Sequence, residues 1–172
     1  MMHWAKSFAR DHSGAAAAEM ALILPLVLAL LFTTFEGSYY MICEHRVVKG
    51  VRDAARYAAR LDLSNYTCPG GIFSGSAAKK TEIQNLARTG QLNPDSTTLA
   101  AAAKIWGNDP NQVTVAVTCT ANQGGIYVAT GGNAPQVRIS TRVAYQSIMG
   151  TLGFTNATIY IGAAAQSPVI GI

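Results

Sequence analysis

Ala15–Phe35 reads AAAAEMALILPLVLALLFTTF, about 20 residues that hold a single charge, Glu19. At ~1.5 Å rise per residue such a stretch crosses a ~30 Å hydrocarbon core, so it reads as a membrane helix. The helical pattern does not stop there. Ser38–Asp62, SYYMICEHRVVKGVRDAARYAARLD, is rich in alanine and returns apolar residues at spacings of three and four. Ala15 to about Asp62 is therefore expected to be nearly one rod, roughly 70 Å long at the standard rise. Pro25 removes a backbone donor and Gly37 weakens a helix interior, which makes them the expected points of kinking. Pro25 reads as a proline that a membrane helix tolerates rather than as a switch.

Working outward, Met1–Gly14 (MMHWAKSFARDHSG) is short and polar, with Lys6 and Arg10 ahead of the apolar run. This is the look of an export leader. An ordinary secretory signal has a shorter apolar stretch closed by a small-x-small cleavage site, whereas here the run continues into FEGSYYMICE, so the helix is expected to stay attached.

Downstream, Leu63–Ser76 (LSNYTCPGGIFSGS) has loop composition. A helix is expected from about Ala77 to Thr89, capped by Ser76 and stopped by Gly90, and a second from Ser96 to Trp106, stopped by Gly107. The period then changes to two. In VTVAVTCT, Val113, Val115, Val117 and Cys119 alternate with Thr114, Ala116, Thr118 and Thr120, as in a half-buried strand. VRISTRVAYQ alternates likewise, with Val137, Ile139, Val143 and Tyr145 opposite Arg138, Ser140, Arg142 and Gln146. Further strands are expected at Asn156–Ala163 and, shorter, at Ile126–Thr130 between glycine pairs. The fold class is α+β: a long N-terminal transmembrane helix continuing into a small domain of short helices and an antiparallel sheet, whose apolar face the long helix can cover. The expected organisation is a leader at 1–14, the long helix at 15–62 and the α+β domain at 63–172.

The formal charge of +4 and the pI near 9.1 raise the question of nucleic acid. Arg46, Lys49, Arg52, Arg56 and Arg60 recur at spacings of three or four, interleaved with Val47, Val48, Val51, Ala55 and Ala59. That is a solvated helix face with lipid headgroup contact second; no aromatic platform accompanies it, and nucleic acid is not an expected partner. Catalysis is not expected either. From Ser64 onward there is no histidine, and the acids are Glu82, Asp95 and Asp109. Cys43 and His45 lie two apart on a helix and point in different directions, which does not suit a thiol-imidazole pair. The three cysteines fit neither a zinc spacing nor a CxxC motif, so neither a metal site nor a cofactor is expected.

The functional signal is Gly14-Ala15-Ala16-Ala17-Ala18-Glu19, preceded by the charged leader and followed by the apolar helix. Glycine before a scissile bond, glutamate five residues after it and a hydrophobic run resemble the processing signature of type IV prepilins and pseudopilins. DHSGAAAAEMALILPLVLALLF, the later VRDAARYAAR and the short chain resemble the TadE-like minor pilins of tight-adherence (Tad, or Flp) pilus systems. The resemblance covers roughly the first 60 residues. It implies cleavage by a prepilin peptidase between Gly14 and Ala15, then assembly with other Tad/Flp pilins and an inner-membrane platform. It also implies that Glu19 faces the new amine of Ala15 on a neighbouring subunit. Physics gives that pairing a reason: a carboxylate in an apolar helix costs up to ~3 kcal/mol at mid-bilayer, so it asks for a partner. A TadG-like protein has a similar start but usually a large extra domain, and a membrane-anchored domain that binds a ligand without polymerising is a second alternative.

More Lys and Arg follow the span than precede it, which by the positive-inside count favours an outside amino terminus. The prepilin-type leader argues the reverse: an inner-membrane helix, surrounded by lipid, with a periplasmic C-terminal domain. On that topology Cys68 in a loop and Cys119 in a strand are the natural disulfide partners, leaving Cys43 on the helix. Sequence alone leaves the pairing open.

Overall fold

A computed structural model describes residues 13–121, 123–151, 153 and 159–171. The leader residues 1–12 and positions 156–158 of the expected last strand lie outside the described residues. Helix α1 runs unbroken over Ser13–Arg60, through both Pro25 and Gly37. By packing, the chain divides into a first unit ending at Tyr39 and a second from Tyr40 to Ile172. The boundary thus falls inside α1 rather than after it.

In the second unit the α1 segment is a core element. Cys43, Val47, Val51, Ala54, Ala55, Ala58 and Ala59 are buried, at spacings that bring them to one face. Small residues late in that stripe let neighbours approach closely. Gly50 is one such position: a Cβ there would stand 1.9 Å from the Ala87 carbonyl oxygen. The helix end is closed by distant parts of the chain. Ala58 O accepts from Leu61 N–H at 3.1 Å and from the buried Tyr66 hydroxyl, while Ala59 O accepts from Ile170 N–H at 2.9 Å.

Beyond α1, the loop composition of Leu63–Ser76 conceals a small antiparallel hairpin, β1 (Tyr66–Thr67) with β2 (Ile72–Phe73), whose Tyr66 and Phe73 rings meet edge to face at 5.5 Å. Helix α2 (Ala77–Thr89) starts where Ser76 Oγ accepts from Lys79 N–H and ends on left-handed Gly90, which a side chain would strain. Helix α3 (Ser96–Trp106) is capped by Asp95, whose carboxylate accepts from Thr98 N–H at 2.8 Å, and stops at Gly107.

The main sheet has the order β3–β4–β5, antiparallel throughout, with β3 at Val113–Thr120, β4 at Ala134–Ala144 and β5 at Tyr160–Pro168. Register pairs Val115 with Ile139 and Ile139 with Ala165, so odd-numbered residues share the inner face. Val113, Val117, Val137, Ile139, Val143 and Ile161 are buried there, and α2 and α3 pack against β3 and β4. The outer face carries Thr114, Thr118, Arg138, Arg142 and Gln166, all exposed. A short helix, α4 (Ile148–Thr151), lies between β4 and β5.

Two expectations are corrected. Ile126–Thr130 is not a strand but part of a 3-10 helix, Gly125–Thr130. Its apolar run is too short to choose a backbone, and the turn closes instead through Gly132 N–H to Tyr127 O at 2.9 Å. The last strand, described from Tyr160, continues past Ala163 to Pro168, because Ala164–Pro168 stays in register with β4 down to Gln136.

Candidate assembly helix and its processing junction

In the first unit, α1 is apolar on every side from Met20 to Phe32. One 18-residue window has a mean hydropathy of 2.3, and none of it is buried against the rest of the chain. Met20, Leu22, Leu26, Leu30 and Phe35 are all exposed. A helix with no polar face and no covering layer is solvated by lipid or by other helices, and this one anchors the chain in a membrane. Its hydroxyls are satisfied within the helix: Thr33 donates to Ala29 O, Thr34 to Leu31 O and Ser38 to Thr34 O, at 2.7–2.8 Å. Pro25 deprives the Ala21 carbonyl of its usual donor without ending the helix.

The residues expected to form a processing signal lie in the first turns. Ser13 and Gly14 are helical, and a side chain at Gly14 would meet nothing within 4 Å, so the glycine is not there for packing within this chain. Ala15 and Glu19 are four apart and therefore neighbours on one side of the helix, both exposed. Within one chain the structure brings Ala15 and Glu19 together and sets them among apolar side chains.

In the second unit, the five cations Arg46, Lys49, Arg52, Arg56 and Arg60 are exposed on the side of α1 away from the buried stripe, and Arg56 stands 3.7 Å from Asp53. Cys43 is buried whereas His45 is exposed, so the two side chains diverge. Cys68 and Cys119 are joined by a disulfide with Cα atoms 5.9 Å apart, which ties the loop after β1 to the end of β3. Among the described residues no group of three or more His, Cys, Asp or Glu side chains converges as a metal site.

Two features of this unit were not read from the sequence. Tyr57 on α1 donates to Glu82 of α2 at 2.5 Å, and Lys79 meets the same carboxylate oxygen at 2.9 Å. The Tyr57 hydrogen bond, then that of Lys79, holds the Glu82 carboxyl below its ordinary range; desolvation and the adjacent carboxylate push the Tyr57 phenol up. Arg88, whose charge burial disfavours, donates to Gly107 O at 2.9 Å and ties the end of α2 to the end of α3. A lone Tyr, Glu or Arg in a helix carries no signal of such a partner. Gly50 did carry one, as a glycine inside a run of helix formers.

A family model described as TadE-like protein matches residues 14–56, from Gly14 to Arg56. No curated protein and no solved structure matches the chain.

Proposed function

We propose, from the TadE-like pattern across residues 14–56, that the chain is a minor pilin or pseudopilin that is clipped after Gly14 and joins a Tad pilus assembly through its apolar helix. The match itself marks the chain as Tad pilus-associated. The observation that carries the finer reading is the unburied apolar helix headed by Gly14, Ala15 and Glu19. Lateral packing of such helices covers Leu, Ile and Val surfaces that the chain leaves open.

Cleavage would release an amine at Ala15, and the Glu19 carboxylate of an adjacent subunit would neutralise it. Each charge then removes the other's penalty in the bilayer. The prepilin peptidase, other pilins and the inner-membrane platform are the partners, and the domain from Tyr40 onward is periplasmic. The Cys68–Cys119 disulfide supports that side of the membrane, since such bonds persist in oxidising compartments. The role is structural rather than enzymatic, a reading supported by the absence of histidine from Ser64 onward.

Mass spectrometry of the mature protein tests the scheme: a chain beginning at Ala15 is expected, and an intact leader removes its foundation. Gly14→Phe is expected to leave the full-length chain on a gel. Glu19→Ala is expected to be processed normally yet recovered in sheared pili at a fraction of the wild-type level; equal recovery would sink the assembly role of the carboxylate.

A further inference from the structure

The two edges of the main sheet are treated differently. In an antiparallel ladder alternate residues turn their N–H and C=O groups towards one neighbour and then away from it. Tyr145 N–H bonds Ile159 O at 2.7 Å and Val169 N–H bonds Pro135 O at 2.9 Å, both pairs lying in the β4–β5 register. Odd-numbered residues of β5 therefore face β4, and Tyr160, Gly162, Ala164 and Gln166 turn their backbone groups outward.

On β3 the odd-numbered residues face outward, and that edge is occupied. Val113 O accepts from buried Gln84 Nε2 at 3.2 Å, and Gly71 lies so close that a Cβ there would stand 2.9 Å from Val117 O. The β1–β2 hairpin and α2 cover it. On β5 the covering layer thins. Its inner-face residue Ile161 is buried, but Ala163, Ala165 and Ser167 are half-buried, whereas Thr141, Ile139 and Val137 beside them on β4 are buried. Only at the far end does an outward group find a partner among the described residues, where Ile170 N–H meets Ala59 O.

The β5 edge also lacks the devices that keep strands from pairing. YIGAAAQSP contains no charged residue, and its one proline is at the last position. From these features we infer that β5 is the docking edge for the β5 strand of a second copy of this chain, antiparallel about a two-fold axis through Ala164. In that register Gly162 meets Gln166, Tyr160 meets Pro168, and outward-facing residues always meet outward-facing residues, so ladder bonds form without a shift. The central side chains are alanine and glycine, small enough for two identical strands to close on each other, and β5 itself brings no charge to the seam; the Arg142 guanidinium of β4 lies over the Tyr160 ring at 4.2 Å, at the start of the strand rather than at its centre. Pairing makes one six-stranded sheet and covers the half-buried Ala163 and Ala165 with their counterparts.

The test uses full-length chain in detergent micelles and in membranes. Ala164→Cys is expected to give several-fold more disulfide-linked dimer under mild oxidation than Ala116→Cys, which places a thiol on the same outer face beside the occupied edge. Ala164→Pro removes an outward donor without breaking a β4 bond and is expected to lower the dimer fraction in sedimentation; Ala164→Lys, which keeps the backbone intact, is expected to do the same through repulsion. Equal cross-linking of the two cysteine variants, or an unchanged dimer fraction in a folded Ala164→Lys protein, overturns self-pairing. So does an Ala164→Lys defect in pilus incorporation without any Ala164→Cys dimer, which would assign the edge to another protein. The cross-linking and sedimentation arms read pairing directly and do not depend on cleavage after Gly14 or on Glu19.

Discussion

At Gly50 the identity of one residue decides how near two helices come. A methyl group there would stand 1.9 Å from Ala87 O and 3.2 Å from the buried Trp106 ring, a backbone atom on one side and a closed wall on the other. Overpacking of this kind costs about 1–3 kcal/mol, and Gly50→Ala is expected to lower the domain's urea midpoint accordingly despite alanine's better helix propensity. An unchanged or raised midpoint would mean that α1 and α2 can part freely. Tyr57, Glu82 and Lys79 make a second residue-scale prediction. Glu82 is held below its ordinary value of 4.5, so its contribution to stability is present above that pH and fades as pH falls through the depressed folded value. Tyr57 is held above 10.0, so its contribution is present below that pH and fades as the phenol ionises. Tyr57→Phe is expected to flatten both limbs of a stability-against-pH curve and to move the Glu82 titration upward by NMR. Gly50 stands out in sequence as a glycine among helix formers, but that it meets Ala87, or that Tyr57 meets Glu82, depends on how the helices cross, and periodicity within one helix is blind to that.

At the scale of the element, helices α2 and α3 were legible to their ends because their signals are local. Ser76 caps α2, Gly90 stops it three residues after Ala87, and Gly107 stops α3 directly after Trp106; the Asp95 cap of α3 is a local signal of the same kind that was not read from the sequence. Asp95→Ala is expected to destabilise the domain by about 1 kcal/mol, seen as a lower unfolding temperature, since Thr98 N–H then loses its acceptor. β3 and β4 were legible through strict alternation. The 3-10 turn at Gly125–Thr130 was not, because Ile126, Tyr127 and Val128 favour strand by composition while the Tyr127 hydroxyl is held by Val169 O, far along the chain. The extent of β5 was equally hidden: Ala163–Ala165 has no alternation to read, and its strand character comes from pairing with β4. The proposed processing signal, Gly14 to Glu19, could be read at all because it is a linear string, whereas the β5 edge depends on which strands pair and on what covers them.

For the whole molecule, the disulfide is the long-range constraint. It links positions 51 apart, and loss of such a loop restraint costs about 2–4 kcal/mol, so the paired Cys68→Ala and Cys119→Ala variant is expected to melt well below the wild type under non-reducing conditions. A melting point equal to the wild type's would show that the hairpin holds its place by packing alone. The division at Tyr40 carries a related lesson. Composition places a boundary where the helix ends, near Asp62, but burial places it within the helix, because Cys43 through Ala59 serve as one wall of the domain core.

The hydrogen bond from Ile170 to Ala59 also sets a timetable. Ribosomes deliver α1 first and Val169–Ile170 long afterwards, yet the final turn of α1 needs the later segment to satisfy its carbonyl, and Val169 is wholly enclosed in the finished domain. Until that clasp emerges, the last turn of α1 and the pocket that receives Val169 stay open to solvent, so this domain closes only once its last strand has been delivered.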